Sequence, residues 1–481
     1  MTDQGTNTMS EYWSWTACEL ATAIAKGQIS SVEATQSAIE RMSAVNPTLN
    51  AVVDALADEA MDAAEHADRV LRRHGPSGPL HGVPVTVKVN VDYAKRATTN
   101  GVVAYRELIA PDDGSVVGNL RKTSAVVIGR TNTPSYSMRW FTENDLHGAT
   151  RNPHNAAMTC GGSSGGAGAA TAAGTGAMGH GNDIGGSVRY PAYCCGVYGL
   201  RPTAGVVPAY NPSQLAERMI VSQMAAVQGP LARSVHDIAL SMRALSASDP
   251  RDIWQVPVER SMFDIAHRPC RVAMLAETGD CAVDPAVTAA IRRAGTILSD
   301  AGYQVEEVAI PSLTEAADLW RLVLGNEIRA GLWPLVQEHG DEKVKKSISD
   351  LLDGVPELDR DGFLKAVAKR STMLREWQMF LTDFPLVLTA VSWQLPYAVG
   401  EDQRHDLDFE EYYRQLAPTT ATPILGLPGL AVPMGLTQSR PVGVHLIADR
   451  FKEHVLLDAG AVLERANGPV APVTPASQAN M

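Results

Sequence analysis

The chain has 481 residues, a length that suits one large α/β domain or two or three smaller ones. Its 53 Asp and Glu residues exceed its 41 Lys and Arg residues, and the net charge of −12, without a basic cluster, argues against nucleic acid as a partner. Six cysteines without a C-x-x-C pair indicate reduced thiols in the cytoplasm, and neither a signal peptide nor a membrane-spanning stretch is predicted.

The N-terminal part of the chain is predicted to be helical after a loose tail over residues 1–12. A capping box formed by Ser30 and Glu33 marks the start of one helix, and Gly27 is a typical residue at the end of the helix before it. Asn46-Pro47 is expected to end the second helix. The predicted helices cover residues 15–26, 30–42 and 51–73.

A β-branched run over Val85–Val91 predicts a buried strand, and Lys88 lies in its middle. Lysines are rarely buried, so the run by itself favours a side chain whose ammonium group reaches water. A buried lysine would instead have a lowered pKa and could act as a base. The residues that follow predict a helix over 116–120 and a strand over 125–129.

The segment Met138–Thr142 is apolar and aromatic. Its side chains Met138, Trp140 and Phe141 suit ordinary core packing and the lining of a substrate pocket equally well. Aromatic residues also recur over 312–397, and both segments favour a fairly large apolar or aryl substrate.

Residues 159–203 are dense in Gly, Ala, Ser and Thr, whose small side chains allow close approach of backbone or ligand. A flexible linker is disfavoured because Ala169–Ala173 predicts a helical segment and Val188–Pro191 restores bulky side chains. Gly185 and Gly186 directly precede Ser187, so their amides can point to one place beside its hydroxyl. The pattern predicts a nucleophile next to an oxyanion hole.

The second half of the chain alternates strands and helices, as an α/β domain does. Residues 312–380 are predicted to be mostly helical. Strands are predicted over 271–275, 303–309, 384–390, 424–435 and 441–448, and further helices over 284–301 and 453–464.

Three motifs carry a resemblance to a known family. They are GGSSGG at 161–166, G-x-D-x-GGS-x-R-x-P at 181–191 and G-x-x-GL-[KR]-PT at 196–203. Together they resemble the amidase signature family, serine hydrolases with a Ser–cis-Ser–Lys triad. The resemblance implies an α/β fold in which a large mixed β-sheet is covered by helices on both faces. It implies one amidase domain over 1–481, with a helical N-terminus at 1–75, the signature core at 80–210 and a variable substrate-entrance region at 312–405.

The same resemblance implies the roles of individual residues. Ser187 would be the nucleophile, Ser163 would relay its proton after a cis Gly–Ser peptide, and Lys88 would be the base. Lys88 occupies the lysine position of a GVP-x-x-x-K-x-N segment. The oxyanion hole would consist of the backbone amides of Ile184, Gly185, Gly186 and Ser187.

Other signature residues are expected to support this machinery. Asp183 and Arg189 would form a pair that orients the core, and His180 would be a hydrogen-bonded neighbour. Ser164 would either bond the nearby backbone or support the proton relay. Val89 stands where many members have Asp, and the missing carboxylate should favour the neutral lysine that a base requires. No metal ion or organic cofactor is implied, since no HExxH motif or clustered His and Cys spacing is present.

These features predict a stand-alone amide hydrolase that forms an acyl-enzyme on Ser187. Its expected substrates are small-molecule amides, anilides, esters or carbamates (urethanes), so aryl acylamidase, urethanase and esterase activities all fall within the expectation. The protein is expected to be a monomer or homodimer with no membrane partner.

Two other activities compete with this interpretation. Residues 161–165 also satisfy the G-x-S-x-G motif of an α/β-hydrolase, which would recruit Asp406 and His445, but that motif is short and leaves Lys88 unexplained. The glutaminase component of an aminoacyl-tRNA amidotransferase resembles the family closely. Its motif usually carries Thr where this chain has Ile184. A non-catalytic scaffold is disfavoured because all three candidate triad residues are present.

Overall fold

The computed structural model describes residues 11–214 and 216–476, so most of the tail expected at 1–12 lies outside the described residues. The strands in this part of the chain are β1 (Val52–Ala55), β2 (Pro84–Lys88), β3 (Val126–Thr131), β4 (Glu143–Asn144), β5 (Gly148–Ala149), β6 (Met178–Asp183), β7 (Tyr198–Arg201), β8 (Val227–Ala232), β9 (Arg271–Met274), β10 (Gln304–Glu307), β11 (Leu386–Ala390), β12 (Gly429–Thr437) and β13 (Arg440–Ala448).

Its α-helices are α1 (Ala17–Ala25), α2 (Ser31–Leu49), α3 (Ala57–His74), α4 (Ser115–Lys122), α5 (Gly165–Ala172), α6 (Arg189–Cys195), α7 (Ile220–Ala225), α8 (Val235–Leu245), α9 (Pro285–Asp300), α10 (Leu313–Glu327), α11 (Trp333–His339), α12 (Glu342–Leu352), α13 (Arg360–Asp383), α14 (Phe409–Gln415), α15 (Ala417–Leu425) and α16 (Glu453–Asn467). Within the described ranges, none of the helices is long and apolar enough to cross a membrane.

The strands form one large mixed sheet. Its 11 strands lie in the order β1-β3-β2-β6-β8-β7-β12-β13-β11-β9-β10, while β4 and β5 form a separate pair. β2 is parallel to β3 and β6, and β9 is parallel to β10 and β11. The other neighbours are antiparallel, which confirms the predicted mixed sheet.

Helices cover both faces of this sheet. Leu430 and Val432 of β12 belong to a core that includes residues of α8, α9 and α16, whereas Ala431 belongs to a core with α5 and α6. Successive side chains of a strand point to opposite faces, so these two cores lie on opposite sides of the sheet. The α/β class with helices on both faces is therefore confirmed.

The N-terminal helices differ in their bounds from the prediction. Pro47 does not end α2, which continues to Leu49 and closes at Asn50, a residue with a left-handed φ of 51°. The helix predicted from residue 51 begins only at Ala57, because the β-branched residues before it form β1 and pair with β3 at the edge of the sheet.

Two predicted strands also have different ends. β2 ends at Lys88 rather than at Val91, so Lys88 lies at the carboxyl end of the strand. The strand expected from Ile424 starts at Gly429, since Ile424 belongs to α15 and Gly426, with a left-handed φ of 68°, ends that helix.

The region after residue 312 is helical, as predicted. A π-helical segment at Ile328–Leu332 joins α10 to α11 and ends two residues before Pro334, which lacks the N–H that a regular helix would need there. Residues of α10, α12 and α13 share a core with Val387 of β11 and Ile447 of β13. This helical layer therefore packs on the sheet itself.

Candidate active site

Lys88 is fully buried at the end of β2, where its amino group meets three side-chain oxygens. Nζ lies 2.7 Å from Ser163 Oγ, 3.1 Å from Ser164 Oγ and 2.8 Å from Asn182 Oδ1. Burial lowers the pKa of Lys88 well below its ordinary value, and the Asp183 carboxylate opposes part of that shift. The neutral amine, the form that can accept a proton, is thereby favoured.

Ser163 is held in a tight backbone segment. It follows a cis peptide bond from Gly162, and α5 begins two positions later at Gly165. A Cβ atom on Gly162 would lie 2.5 Å from both Arg139 O and Phe141 N, so only glycine permits this approach. The glycine at position 162 thus brings Ser163, the predicted relay, against the apolar segment that precedes the motif.

Ser187 lies on the loop between β6 and α6 and is 6% exposed. The N–H of Ser164 donates a hydrogen bond of 3.2 Å to the carbonyl of Ser187. This bond joins the two segments that carry the predicted nucleophile and the predicted relay. The structure therefore joins Lys88 to Ser163 directly and places the backbone of Ser187 against Ser164, the residue after Ser163.

Asp183 organises the loop that leads to Ser187. Its carboxylate accepts hydrogen bonds from the N–H groups of Gly186 (2.9 Å) and Val188 (3.2 Å). It also accepts two from Arg189, Nε at 3.0 Å and Nη2 at 2.9 Å. Burial alone would raise the pKa of Asp183, but the guanidinium groups of Arg189 and Arg201 hold it well below its usual value.

Two tryptophans hold the carbonyls of the same loop. The indole N–H of Trp320 donates to Ile184 O at 2.7 Å, and that of Trp140 donates to Gly185 O at 2.8 Å. In a trans peptide the N–H points opposite to the carbonyl. The amide of Gly185 therefore points away from Trp320.

Three of the four predicted oxyanion donors are available in this arrangement. Among the described residues, the N–H groups of Ile184, Gly185 and Ser187 have no hydrogen-bond acceptor. The N–H of Gly186, by contrast, is bound to Asp183. The first three amides fit the predicted oxyanion role, whereas Gly186 acts here as an anchor of the loop.

A cleft of about 560 Å³, including space open to solvent, adjoins Ser187. Its apolar lining contains the rings of Trp140, Trp320, Phe409 and Tyr412 together with Met138 and two leucines, Leu351 and Leu407. Met138 and Trp140, two of the residues predicted as possible pocket lining, thus line this cleft. Phe141 does not line this cleft; it is buried in the core, with the Arg139 guanidinium 5.8 Å from its ring centroid.

The charged groups at the cleft are paired. Arg139 binds Asp402 through Nε at 2.9 Å and Nη2 at 3.0 Å, and both side chains are buried. Asp350 accepts a hydrogen bond of 2.6 Å from Lys346. The cleft therefore presents aromatic surface and neutralised charges, which suits an uncharged substrate.

His180 is buried and lies 2.9 Å from Gln228 Oε1 through its Nε2 atom. Burial lowers its pKa to about 3, so the ring is neutral. Within the described ranges, no group of three or more His, Cys, Asp and Glu side chains could hold a metal ion.

The alternative α/β-hydrolase triad is not assembled. Asp406 is exposed and bound to Arg404, whereas His445 is buried on β13 with Nε2 3.3 Å from Arg189 Nη1. Burial and the neighbouring Arg189 both lower the pKa of His445. Neither residue meets Ser163, so the structure does not support that alternative.

Sequence reasoning missed several residues of the site. Asn182 lies within the G-x-D-x-GGS motif, and a polar side chain between a glycine and an aspartate could have indicated a site residue. Trp320 lies in the aromatic-rich stretch 312–397, which was interpreted only as a whole, and Asp402 and Tyr412 lie after that stretch. No short motif marks any of these three residues. Only the folded chain brings them to Ser187.

Comparisons with known proteins agree with this geometry. A family model described as Amidase matches residues 33–457. An indoleacetamide hydrolase of Bradyrhizobium diazoefficiens is 43% identical over 461 residues, which cover 95% of this chain and 88% of the relative. The solved structure of a bacterial aryl acylamidase of the amidase signature family has a TM-score of 0.81 and 27% identity, covering 94% of this chain and 96% of that one.

A further comparison concerns the amidotransferase alternative. One component of the glutamyl-tRNA(Gln) amidotransferase of Moorella thermoacetica is 31% identical over 482 residues, which cover 95% of this chain and 97% of the relative. This identity is lower than that to the indoleacetamide hydrolase. The comparison supports a stand-alone amide hydrolase.

Proposed function

This chain belongs to the amidase family and is a hydrolase of linear amides, and from that premise we propose that it hydrolyses arylacetamides, indoleacetamide foremost. The observation that carries the proposal is the aromatic cleft beside Ser187. Trp140, Trp320, Phe409 and Tyr412 offer ring faces and edges on which a planar bicyclic ring can pack. The similarity to an indoleacetamide hydrolase supports the same substrate class.

The proposed reaction begins with attack of Ser187 Oγ on the amide carbonyl carbon. The hydroxyl proton passes through Ser163 to the neutral amine of Lys88, which lies 2.7 Å from Ser163 Oγ. The negative oxygen of the tetrahedral intermediate binds the amides of Ile184, Gly185 and Ser187. When the C–N bond breaks, the proton returns through Ser163 to the leaving nitrogen, and a primary amide releases ammonia.

The second half of the proposed cycle hydrolyses the acyl-enzyme. Water attacks the ester carbon on Ser187 while the Ser163–Lys88 relay takes up its proton. Collapse of that intermediate returns the proton to Ser187 Oγ and releases the arylacetic acid, which then loses its proton to the solvent. One water is consumed for each amide hydrolysed, and the site returns to its starting protonation state.

We also propose that the protein acts in the cytoplasm as a monomer or homodimer. All six cysteines lie within the described residues and are free thiols, which suits a reducing compartment. A molecular mass measured in solution tests the assembly state.

The activity is tested with purified protein alone on a panel of indoleacetamide, phenylacetamide, acetamide, a nitroanilide, an aryl carbamate and glutamine. We expect the highest kcat/KM on the two arylacetamides and loss of all hydrolysis in Ser187→Ala. Preferred turnover of acetamide or of the carbamate would contradict the proposed substrate class. Glutamine hydrolysis that appears only with partner proteins would restore the amidotransferase alternative.

A further inference from the structure

We propose that Asn182 and Asn90 are positioning residues that aim the lone pair of neutral Lys88 at Ser163. The inference rests on the proposed role of Lys88 as the base. Asn182 belongs to β6 and Asn90 follows β2, so the two neighbouring strands supply the pair.

The orientation of the Asn182 amide is fixed by a chain of hydrogen bonds. Its Nδ2 donates to Asn90 Oδ1 at 2.9 Å, and Asn90 Nδ2 donates to Ser137 Oγ at 2.9 Å. The hydroxyl of Ser137 donates in turn to Asn100 Oδ1 at 2.7 Å. Because each amide nitrogen has an acceptor, the carbonyl oxygen of Asn182 is the atom that faces Lys88.

The donors and acceptors around Lys88 then determine where its lone pair points. A neutral amine has two N–H donors and one lone pair. Asn182 Oδ1 can only accept, and the hydroxyl of Ser164 donates to Asn182 O at 3.4 Å, which leaves Ser164 Oγ as an acceptor. These two oxygens take both N–H groups, so the lone pair faces Ser163, whose hydroxyl can donate to it.

The side-chain amide of Asn182 carries no charge, so it does not stabilise the protonated form of Lys88. The ionisable groups that act on it are Asp183, whose carboxylate favours the charged amine, and His180, a neutral ring at ordinary pH. Val89 adds no carboxylate beside it. Asn182 thus supplies an acceptor at 2.8 Å without supplying a negative charge.

The experiment measures kcat and kcat/KM against pH for Asn182→Asp and Asn182→Ala on the panel amide that wild type hydrolyses fastest. A carboxylate at position 182 should stabilise the lysine ammonium and move the acid limb of kcat/KM up by about 1–3 pH units. Asn182→Ala should lower kcat about tenfold with little change in KM, because the amine loses its orienting acceptor. A purely structural role for Asn182 would not move the acid limb.

Asn155→Asp is the matched control. Asn155 Oδ1 accepts the N–H of Ala157 at 3.0 Å in a partly exposed turn, so Asp there keeps the acceptor and adds the same charge. This variant should keep the wild-type pH profile. Asn90→Ala provides a second route if Asn182→Asp fails to fold, since it frees the Asn182 amide and should lower kcat at an unchanged KM.

Two further variants separate this inference from the proposed function. Hydrolysis that survives in both Ser187→Ala and Lys88→Ala would overturn the relay itself. If those variants are inactive while the folded Asn182 and Asn90 variants keep the wild-type kcat and acid limb, only the positioning role is wrong.

Discussion

At the scale of single residues, Asp183 combines two tasks. One carboxylate compensates the buried charge of Arg189 and accepts the amides that shape the loop before Ser187. The side chain of Arg201 is 3.5 Å away through Nη1, and its Nη1 also donates to Asp183 O at 2.6 Å. Loss of the negative charge would leave two buried guanidinium groups without their counterion.

Asp183→Asn should therefore destabilise the fold by about 3–5 kcal/mol, the usual result of removing one partner of a buried ion pair. The measurement is the free energy of unfolding in urea, read by circular dichroism. Asp406→Asn is the matched control, because Asp406 is exposed and forms a surface ion pair with Arg404, and it should leave the midpoint unchanged. Equal midpoints for Asp183→Asn and wild type would contradict the compensating role.

At the scale of elements, the loop between β6 and α6 depends on partners far away in sequence. The indole of Trp320 on α10 and that of Trp140 before the glycine motif bind consecutive carbonyls of this loop. A Cβ atom on Gly185 would lie 2.7 Å from Trp320 Cζ2, so the indole packs directly against the backbone there. Both tryptophans thus support the amides that the proposed mechanism uses.

Trp320→Phe should lower kcat about tenfold, since it keeps an aromatic ring but leaves Ile184 O without its donor. The expected change in KM is smaller, because Phe preserves most of the apolar surface of the cleft. Steady-state kinetics on an arylacetamide measures both constants and checks that kcat changes more than KM. Trp254→Phe is the control, as the indole of Trp254 binds Gln223 away from the cleft lining. A rise in KM at constant kcat would assign Trp320 to substrate binding alone.

The sequence could predict those parts of the site that lie in short motifs. Ser187 was identifiable because two glycines directly before a serine can turn their amides toward one point beside its hydroxyl. The resemblance was needed for Ser163, and also for Lys88, whose burial contradicts the ordinary preference of lysine. Trp320 could not be predicted, because its contact with Ile184 depends on how α10 packs, and no local pattern encodes that packing.

At the scale of the whole molecule, the sequence largely predicted which segments are strands and which are helices. It did not predict the order of the strands in the sheet. Apolar runs indicate buried strands, but β1 pairs with β3 and β7 lies between β8 and β12 through contacts that are distant in sequence. The predicted bounds of short elements were also wrong where pairing with a distant strand determines the structure. Val52, for example, joins the sheet instead of extending a helix.

The helical region after residue 312 should unfold together with the sheet. Ile348 of α12 is fully buried in the core that also contains Val387 and Ile447, so the two parts share apolar contacts. Ile348→Ala should cost about 2–5 kcal/mol and lower one common melting midpoint, followed both by far-ultraviolet circular dichroism and by tryptophan fluorescence. Leu364→Ala, at a side chain that is 59% exposed on α13, should leave that midpoint unchanged. If Ile348→Ala shifted only the fluorescence transition, the helical region would be an independent unit, and the substrate cleft could open without loss of the sheet.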